Sequence, residues 1–285
     1  MADSLIFIYE NANGGTVVFR EDSSLWITGI SRISTVEASV AEAQGVGQIG
    51  ATPTGVSIQP KTLTVNGMLW DRSLRSRLLA AVLPGVKARF TRLDGGQRYY
   101  LEGIPSKSPI VDEVREMPGF QFAFRCSFPY WRGEETVQTL AGLAALFRFP
   151  TSLAGEWYIS RMTDSAFATV ENPGNMPAPL TLRFKARTIV TNPEIYHLEN
   201  GSYIRLNTTM AIGDIIEVST VYGEKGAWQV AEDGSTTNVF RYLDIGSDLS
   251  MQLEPGTNTL RGSAEGGEDG LDVEIIAPKG VWAGV

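Results

Sequence analysis

The sequence is poor in the side chains that catalysis and metal binding commonly need. Its 285 residues include one cysteine, Cys126, and one histidine, His197. A single cysteine excludes a disulfide within the chain and a cysteine zinc site. A Ser-His-Asp site would need His197, but its segment, PEIYHLENG, resembles no nucleophile turn. We therefore predict no catalytic, cofactor-binding or metal-binding residue, and we interpret His197 as a partly exposed strand residue.

Basic clusters and long apolar runs are also missing. The net charge is −8, and no Lys/Arg cluster stands out, which argues against a free-standing nucleic-acid binder and against docking on anionic membranes. No segment approaches the ~20 apolar residues of a membrane span. The first apolar run, LIFIY, has no basic region before it, so no signal peptide is predicted. We expect a soluble protein made in a cytoplasm.

Two further segments argue against common ligand sites. The acidic run AEGGEDGLD, residues 264–272, does not have the spacing of an EF-hand loop, and a solvated hairpin turn is favoured over a calcium site. The Gly-rich segments VGQIG and GGEDG lack the lysine and the strand–turn–helix context of a phosphate loop. The paired carboxylates of a glycosidase need only meet in space, so an enzyme stays as a third alternative that no segment supports.

Strands and turns dominate the first half of the chain. Alternating apolar segments flank turn signals such as NANGG and Asp94-Gly95-Gly96. One amphipathic helix is predicted over residues 72–83, with Asp71 as its N-cap and Pro84-Gly85 beyond its end. The segment FQFAFRCSF places Cys126 in phase with four phenylalanines on one buried strand face. These patterns predict a small barrel or strongly curved sheet with the helix over one opening.

Residues 37–55, EASVAEAQGVGQIGATPTG, differ from the segments around them because they are Gly-rich and almost free of aromatic residues. The segment is long for a structureless loop in a compact domain, and such loops are usually functional or disordered. Two interpretations stay open: a mobile surface loop, or an arm that becomes ordered against a partner.

The second half reads as all β. A boundary is predicted within 133–150, which gives domains of 1–140 and 141–285; ETVQTLAGLAALF there fits a helix or a strand-and-loop link. Turn signals then recur every 8–12 residues, the pattern of a β-sandwich or jelly roll. In VENPGNMPAPLTLRFK, residues 170–185, the prolines fit the start or an unpaired edge of a strand. This stretch is predicted to be the corner at which the chain enters a new sheet.

Aromatic residues in the second half are the only candidate ligand contacts. Exposed aromatic rings can stack on sugars, although core packing is the favoured interpretation for each of them: Trp157, Tyr158, Tyr203, Tyr222, Trp228 and Trp282. Trp228 lies between two turn signals in EKGAWQVAEDG and is the best candidate for exposure. We predict a carbohydrate contact at Trp228 and Tyr222.

Several motifs follow one another in the second half: Asn172-Pro173-Gly174, Pro193-Glu194-Ile195, the run from Leu206 to Gly213-Asp214, and LEPGTNTL at residues 253–260. The first half has the predicted helix DRSLRSRLLAAVLP, the hairpin after it, and the phenylalanine strand ending in FPYW. In their order, these motifs resemble the siphophage distal tail proteins. The chain departs from the family mainly at 37–55, so the contacts of that segment are not implied by the resemblance.

The resemblance implies a fold and a role. The first domain would form a hexameric ring between the tail tube protein and a baseplate hub protein of the tail-associated lysin type. The second domain would be a galectin-like or carbohydrate-module-like sandwich outside the ring, with a receptor-binding protein or a host glycan as a further partner. The protein would be assembled in the host cytoplasm and reside at the virion tail tip. The alternative is a carbohydrate-binding sandwich of an adhesin or hydrolase, for which the first half would be superfluous.

The charge suggests one property of such a ring. A net charge of −8 gives −48 for six copies by multiplication. We expect part of this charge to line the lumen, where like-charge repulsion would let DNA pass without binding.

Overall fold

A computed structural model describes residues 5–112, 117–141, 143–145, 160–162 and 166–285. Internal contacts divide the chain into two compact units: unit 1, Met1–Glu134 with Trp282–Val285, and unit 2, Glu135–Val281. The sequence placed the boundary at 140/141 and gave the last residues to the second domain. The division by contacts falls six residues earlier because a strand beginning at Glu135 pairs along its full length within unit 2.

Unit 1 is a curved antiparallel sheet with one helix. Its elements are β1 Ile6–Asn11, β2 Thr16–Arg20, β3 Leu25–Ser31, β4 Ala38–Ala43, β5 Thr52–Ile58, β6 Lys61–Leu69, α1 Leu74–Ala81, β7 Ala88–Asp94, β8 Gln97–Pro105, β9 Ile110–Val111, β10 Gly119–Cys126 and β11 Trp131–Gly133.

The main sheet of unit 1 has the order β2-β1-β7-β8-β10-β6-β3. β2 and β3 stand at its two ends, yet only residues 21–24 link them. A flat sheet of this order would hold its end strands about 29 Å apart, whereas so short a link spans less than about 20 Å. The sheet therefore curls strongly, which confirms the predicted barrel-like curvature.

The core of unit 1 lies on the inner face of this curved sheet. Phe120, Phe122 and Phe124 are buried at alternate positions of β10 together with Cys126, as the period-two pattern predicts. Their rings pack with aromatic residues of β1 and β2; Tyr9, for example, meets Phe122 edge-on at 5.7 Å. Phe128, predicted to share this face, lies beyond the end of β10 and packs edge-on with Tyr130 instead.

The helix is shorter than predicted. It begins after Ser73 and not after Asp71, because the backbone N–H groups of Leu74 and Arg75 bond three residues back in a tight turn. The Asp71 carboxylate accepts from the Ser73 N–H at 2.8 Å. Leu78 and Val82 are buried as the i+4 pattern requires.

Unit 2 consists of antiparallel sheets. Its elements are β12 Glu135–Ala141, β13 Leu143–Ala145, β14 Ser160–Met162, β15 Ala166–Asn172, β16 Ala178–Pro179, β17 Thr181–Ala186, β18 Val190–His197, β19 Tyr203–Arg205, β20 Thr209–Met210, β21 Ile215–Ser219, β22 Gly226–Val230, β23 Thr236–Asn238, β24 Gln252–Leu253, β25 Gly256–Gly266 and β26 Leu271–Pro278; β27, Val281–Trp282, crosses the division.

Two sheets carry most of unit 2. One has the order β12-β26-β17-β21-β22-β23, and the other has β15-β25-β18-β19 with β20 beside β18. The segment ETVQTLA, for which a helix and a strand were both predicted as possible, forms strand β12. The proline-rich stretch leads from β15 in one sheet to β17 in the other, and Pro179 sits in a two-residue pairing with β24. The predicted corner is confirmed.

Two predictions for unit 2 are wrong. His197 is fully buried and not partly exposed, because its imidazole Nε2 bonds the side-chain oxygen of Asn258 at 3.0 Å. The acidic segment is not a hairpin turn. It forms a short 3-10 turn, Glu268–Gly270, between β25 and β26, which belong to different sheets.

Candidate assembly surfaces

The segment singled out in the sequence forms a two-stranded hairpin that contacts little of its own unit. We call residues 37–58 the arm. Val40 of β4 pairs with Val56 of β5, and a bulge at Ala41/Glu42 interrupts the register. Every residue of the arm is exposed. The described residues of the chain therefore leave the arm uncovered, and an isolated two-stranded hairpin is at best marginally stable in water.

The side chains of the arm fit a protein partner better than water. Period-two alternation puts Ala38, Val40, Val56 and Ile58 on one face, and small residues on the other. At the tip, Val46 and Ile49 are 111% and 101% exposed. Glu37 and Glu42 are its only charged residues. Exposed apolar residues gathered in one element mark an interaction surface.

A second exposed apolar surface of unit 1 was not predicted from the sequence. We call Trp26, Met68, Trp70 and Met117 the tryptophan patch. The Trp26 and Trp70 rings lie 5.3 Å apart between centroids, and Trp70 is 56% exposed. Trp26 of β3 pairs with Met68 of β6, which pairs in turn with Gly119, two residues after Met117. The two tryptophans are 44 residues apart in sequence, so only the β3–β6 register brings them together.

A row of charged side chains crosses the outer face of the six-stranded sheet of unit 2. Arg183 of β17 pairs with Glu217 of β21 and with Glu274 of β26. Its guanidinium Nε donates to Glu217 at 2.7 Å, and Nη1 lies 3.3 Å from Glu274. Glu274 also accepts from Lys185. This bond, with the nearby Arg183, lowers the pKa of Glu274 despite its partial burial.

Trp228 continues this row, since it pairs with Glu217 from β22. It is half-buried, and its ring covers Gly226, where an added Cβ would lie 2.7 Å from the indole. Trp228 is thus less exposed than the sequence suggests. Tyr222, in the loop before β22, is 55% exposed, with the Lys225 ammonium 4.8 Å from its ring centroid. Trp157 and Tyr158 lie outside the described residues.

Two asparagines from the motifs that carry the family resemblance brace the corner of unit 2. The Asn172 amide donates to the backbone oxygens of Met176 and Leu253 at 2.9 and 3.0 Å, and its oxygen accepts from the Gly174 N–H. The Asn258 amide donates to the backbone oxygens of Glu254 and Gly256. Asn172 therefore holds the turn after β15 and ties it to β24, and Asn258 holds the turn that leads into β25. Neither motif presents a reactive group.

Within the described ranges, no group of three or more His, Cys, Asp or Glu residues could hold a metal ion, and no helix is long and apolar enough to cross a membrane. Cys126 is buried, and burial raises the pKa of its thiol to about 12, which suppresses the reactive thiolate.

The charge of the chain is divided unevenly. The chain has 24 Lys/Arg and 32 Asp/Glu. Unit 1 holds 14 of the basic and 13 of the acidic residues, so unit 2 holds the remaining 10 basic and 19 acidic residues. Unit 1 is therefore close to neutral, and the acidic excess lies in unit 2.

The fold and these surfaces define a mainly β, two-unit protein with exposed apolar elements suited to assembly. Residues 173–273 match the family model described as "Siphovirus-type tail component, C-terminal domain". This match lies within unit 2 and confirms the resemblance to siphophage distal tail proteins. A search of curated proteins finds no significant match.

Solved structures share the fold along nearly the whole chain. The Dit (gp 19.1) protein of phage SPP1, presented as a paradigm of the hub adsorption apparatus in phages infecting Gram-positive hosts, aligns with a TM-score of 0.65 at 13% identity, over 95% of this chain and 98% of that one. A chain of the phage p2 baseplate in its activated conformation with Ca aligns with a TM-score of 0.54 at 11% identity, over 96% of this chain and 98% of that one. A chain of the same baseplate with Sr aligns with a TM-score of 0.54 at 10% identity, over 97% of this chain and 98% of that one. The chain thus has a Dit-type fold.

Proposed function

We propose that this chain is a structural subunit of a phage tail tip, where six copies of unit 1 form a ring between the tail tube and the baseplate hub. The observation that carries the proposal is the fold match to SPP1 Dit across 95% of the chain. The family match within unit 2 supports it independently. The arm and the tryptophan patch supply exposed apolar surface of the kind that subunit contacts bury.

The proposal includes the partners that the resemblance implies. They are the tail tube protein on one face of the ring, a hub protein of the tail-associated lysin type on the other, and receptor-binding proteins or a host glycan at unit 2. The protein would be assembled in the host cytoplasm and reside in the virion. Its role is architectural and not enzymatic.

The net charge of unit 1, and not that of the whole chain, bears on the passage of DNA through a ring of unit 1. Unit 1 is nearly neutral, so −48 per ring does not describe the charge of a lumen formed by unit 1. We propose that the side chains facing the lumen are neutral or acidic, so that phosphates gain no counterion-release energy there. A ring whose lumen is lined by Lys and Arg would contradict this.

The ring is tested by light scattering of the purified chain and negative-stain imaging of the same peak. The proposal predicts a particle of about 186 kDa, six times 31.0 kDa, with a central hole. Solid particles or a different copy number would contradict a hexameric ring.

A second proposal concerns unit 2: Trp228 and Tyr222 contact carbohydrate. The exposed ring of Tyr222 and the charged row beside Trp228 favour it, because sugar sites combine stacking rings with polar hydrogen-bonding groups. Binding to a glycan array should be lost in Tyr222→Ala and Trp228→Ala. Phe240→Ala, at an aromatic residue of similar exposure, is the control. Equal binding by all three variants, or none by the native protein, would reject it.

A further inference from the structure

The arm and the tryptophan patch lie at opposite ends of the same two strands. β3 runs from Leu25 to Ser31, and β6 returns antiparallel from Lys61 to Leu69. The patch residues Trp26 and Met68 are at one end of this pair. The arm occupies the chain between β3 and β6, so it joins the pair at the other end. The eight steps from Lys61 to Leu69 correspond to about 26 Å at ~3.3 Å per residue.

The arm does not cover the patch of its own chain. All residues from 37 to 58 are exposed, so the arm does not fold back along the sheet. Trp70 and Met117 are also exposed in the same chain. Each copy therefore carries two separated apolar surfaces that the described residues of unit 1 leave uncovered.

We propose that the arm of one copy packs on the tryptophan patch of the next copy. This inference rests on the proposed ring and deepens it by naming the contact between subunits. Two different surfaces meet, so the contact is heterologous, and repeated head-to-tail contacts of this kind generate closed rings or open filaments. An arm paired with an arm, by contrast, would be self-complementary and would stop at a dimer.

Composition and size favour a second copy as the occupant. The valines and isoleucines of the arm are apolar like the indole and thioether side chains of the patch, which contains no charged residue. Of the arm's two glutamates, Glu37 pairs with Arg32 of its own chain. The 22 residues of the arm agree with the about 20–30 residues that each partner contributes to a standard interface. Because each copy supplies both surfaces, one chain suffices to continue the contact.

The inference is tested with two variants and their mixture. The arm variant carries Val40→Asp and Val56→Asp, and the patch variant carries Trp70→Asp. The control is Ile245→Asp, at a fully exposed apolar residue of unit 2. Circular dichroism and thermal unfolding establish that each variant is folded, and light scattering gives its mass.

We expect the native chain and the control to assemble, and the arm and patch variants to be monomers. An equimolar mixture of the two variants should form a complex of two chains, about 62 kDa from 31.0 kDa each, and nothing larger. One intact arm and one intact patch remain in that mixture, which allows one contact. If an arm met an arm, the patch variant would assemble normally and the mixture would gain no contact.

Photo-cross-linking locates the contact directly. A benzophenone amino acid at Val46, in a mixture of isotope-labelled and unlabelled copies, should link the arm tip to the strand ends near Trp26 or Trp70 of a different copy. The same group at Ile245 is the control and should give no such link. Cross-links confined to one copy would overturn the inference.

The outcomes separate this inference from the proposed function. A six-copy ring that forms equally well with Trp70→Asp would reject the arm–patch contact and leave the ring standing. Suppose instead that the protein forms open filaments, or rings with a copy number other than six, and that the arm and patch variants do not. This result would support the arm–patch contact and reject the hexamer. A native chain that stays monomeric at every concentration would overturn the inference, because the two surfaces are proposed to be sufficient.

Discussion

At the scale of single residues, Gly67 shows how closely the curved sheet of unit 1 is packed. It lies on the inner face of β6, and a Cβ added there would approach the Phe120 ring to 2.2 Å and the Trp26 backbone oxygen to 2.3 Å. Neither neighbour can retreat easily, because one is a ring in the core and the other belongs to a paired strand.

Gly67→Ala should therefore destabilise the protein by about 1–3 kcal/mol, the usual cost of overpacking a core. Gly29→Ala is the matched control, since Gly29 lies on neighbouring β3 with open space around its Cβ position. Urea unfolding of both variants gives the comparison. Equal stability would contradict the packing of Phe120 over β6.

Asn258 bonds the turn that leads into β25 and the buried His197. Asn258→Ala removes its hydrogen bonds to the Glu254 backbone and to the fully buried His197 imidazole, and an unsatisfied buried polar group costs about 1–3 kcal/mol. We expect a loss within or above that range in urea unfolding. Asn207→Ala, at an exposed asparagine bonded to Asp244, should cost much less. An unchanged free energy of unfolding in Asn258→Ala would show that the fold of unit 2 does not depend on these hydrogen bonds.

Residue-scale predictions from the sequence failed where burial depends on a distant partner. The segment around His197 gives no sign that Asn258, 61 residues away, covers its imidazole. Trp228 lies between turn signals, which suggested exposure, but Gly226 in its own strand lets the indole fold down onto the sheet. By contrast, Cys126 was predicted to be buried from its strand alone, because period-two alternation fixes the face on which a side chain lies.

At the scale of secondary-structure elements, the six-stranded sheet of unit 2 is held on its outer face by the charged row. Glu274 is the acceptor shared by Lys185 and Arg183, and its bond to Lys185 is the main cause of the lowered pKa of its carboxyl. A carboxyl with a lowered pKa in the folded state contributes stability above its unfolded pKa of about 4.3, and that stability is lost as the pH falls.

Glu274→Gln should therefore reduce stability at neutral pH and make its decline below about pH 5 shallower. Thermal unfolding between pH 3 and 7 measures both effects. Glu232→Gln, at an exposed glutamate of the loop after β22, is the control and should follow the native profile. Parallel profiles for the native chain and Glu274→Gln would reject a role for the row in acid sensitivity.

The arm is the element whose removal should matter least to folding. Replacing residues 38–58 by a short Gly/Ser link should change the free energy of unfolding of the monomer by roughly 0.5 kcal/mol or less, because exposed segments contribute little. Urea unfolding at a concentration where both proteins are monomeric provides the test. A loss of several times that amount would mean that the arm packs on its own unit.

Elements were largely predictable because local patterns determine them. Alternation located the strands of both units, and Gly-rich and Pro-rich runs located the turns between them. The pairing of the arm strands was not predicted, because small residues such as Ala41 and Gly55 give no hydrophobic alternation. The tryptophan patch was missed for a different reason: the register of β3 on β6, which no local pattern encodes, brings Trp26 and Trp70 together.

At the scale of the whole molecule, the chain combines a Dit-type fold with exposed apolar surfaces, and its described residues include no metal-binding cluster. The charge of the chain is divided between the units: unit 1 is nearly neutral, and unit 2 carries the acidic excess. Residues that hold turns, such as Asn172 and Asn258, carry the motifs of the resemblance. In unit 1 the arm and the tryptophan patch expose apolar side chains, which supports the proposed role in assembly.

The most direct test is a cryo-electron microscopy reconstruction of the tail tip of a phage particle that contains this chain. The account predicts six copies in one ring, with unit 1 around the channel, unit 2 outside it, and each arm on the Trp26 and Trp70 surface of the adjacent copy. A channel lined by unit 2, a copy number other than six, or density for the chain only in a peripheral fibre would contradict it.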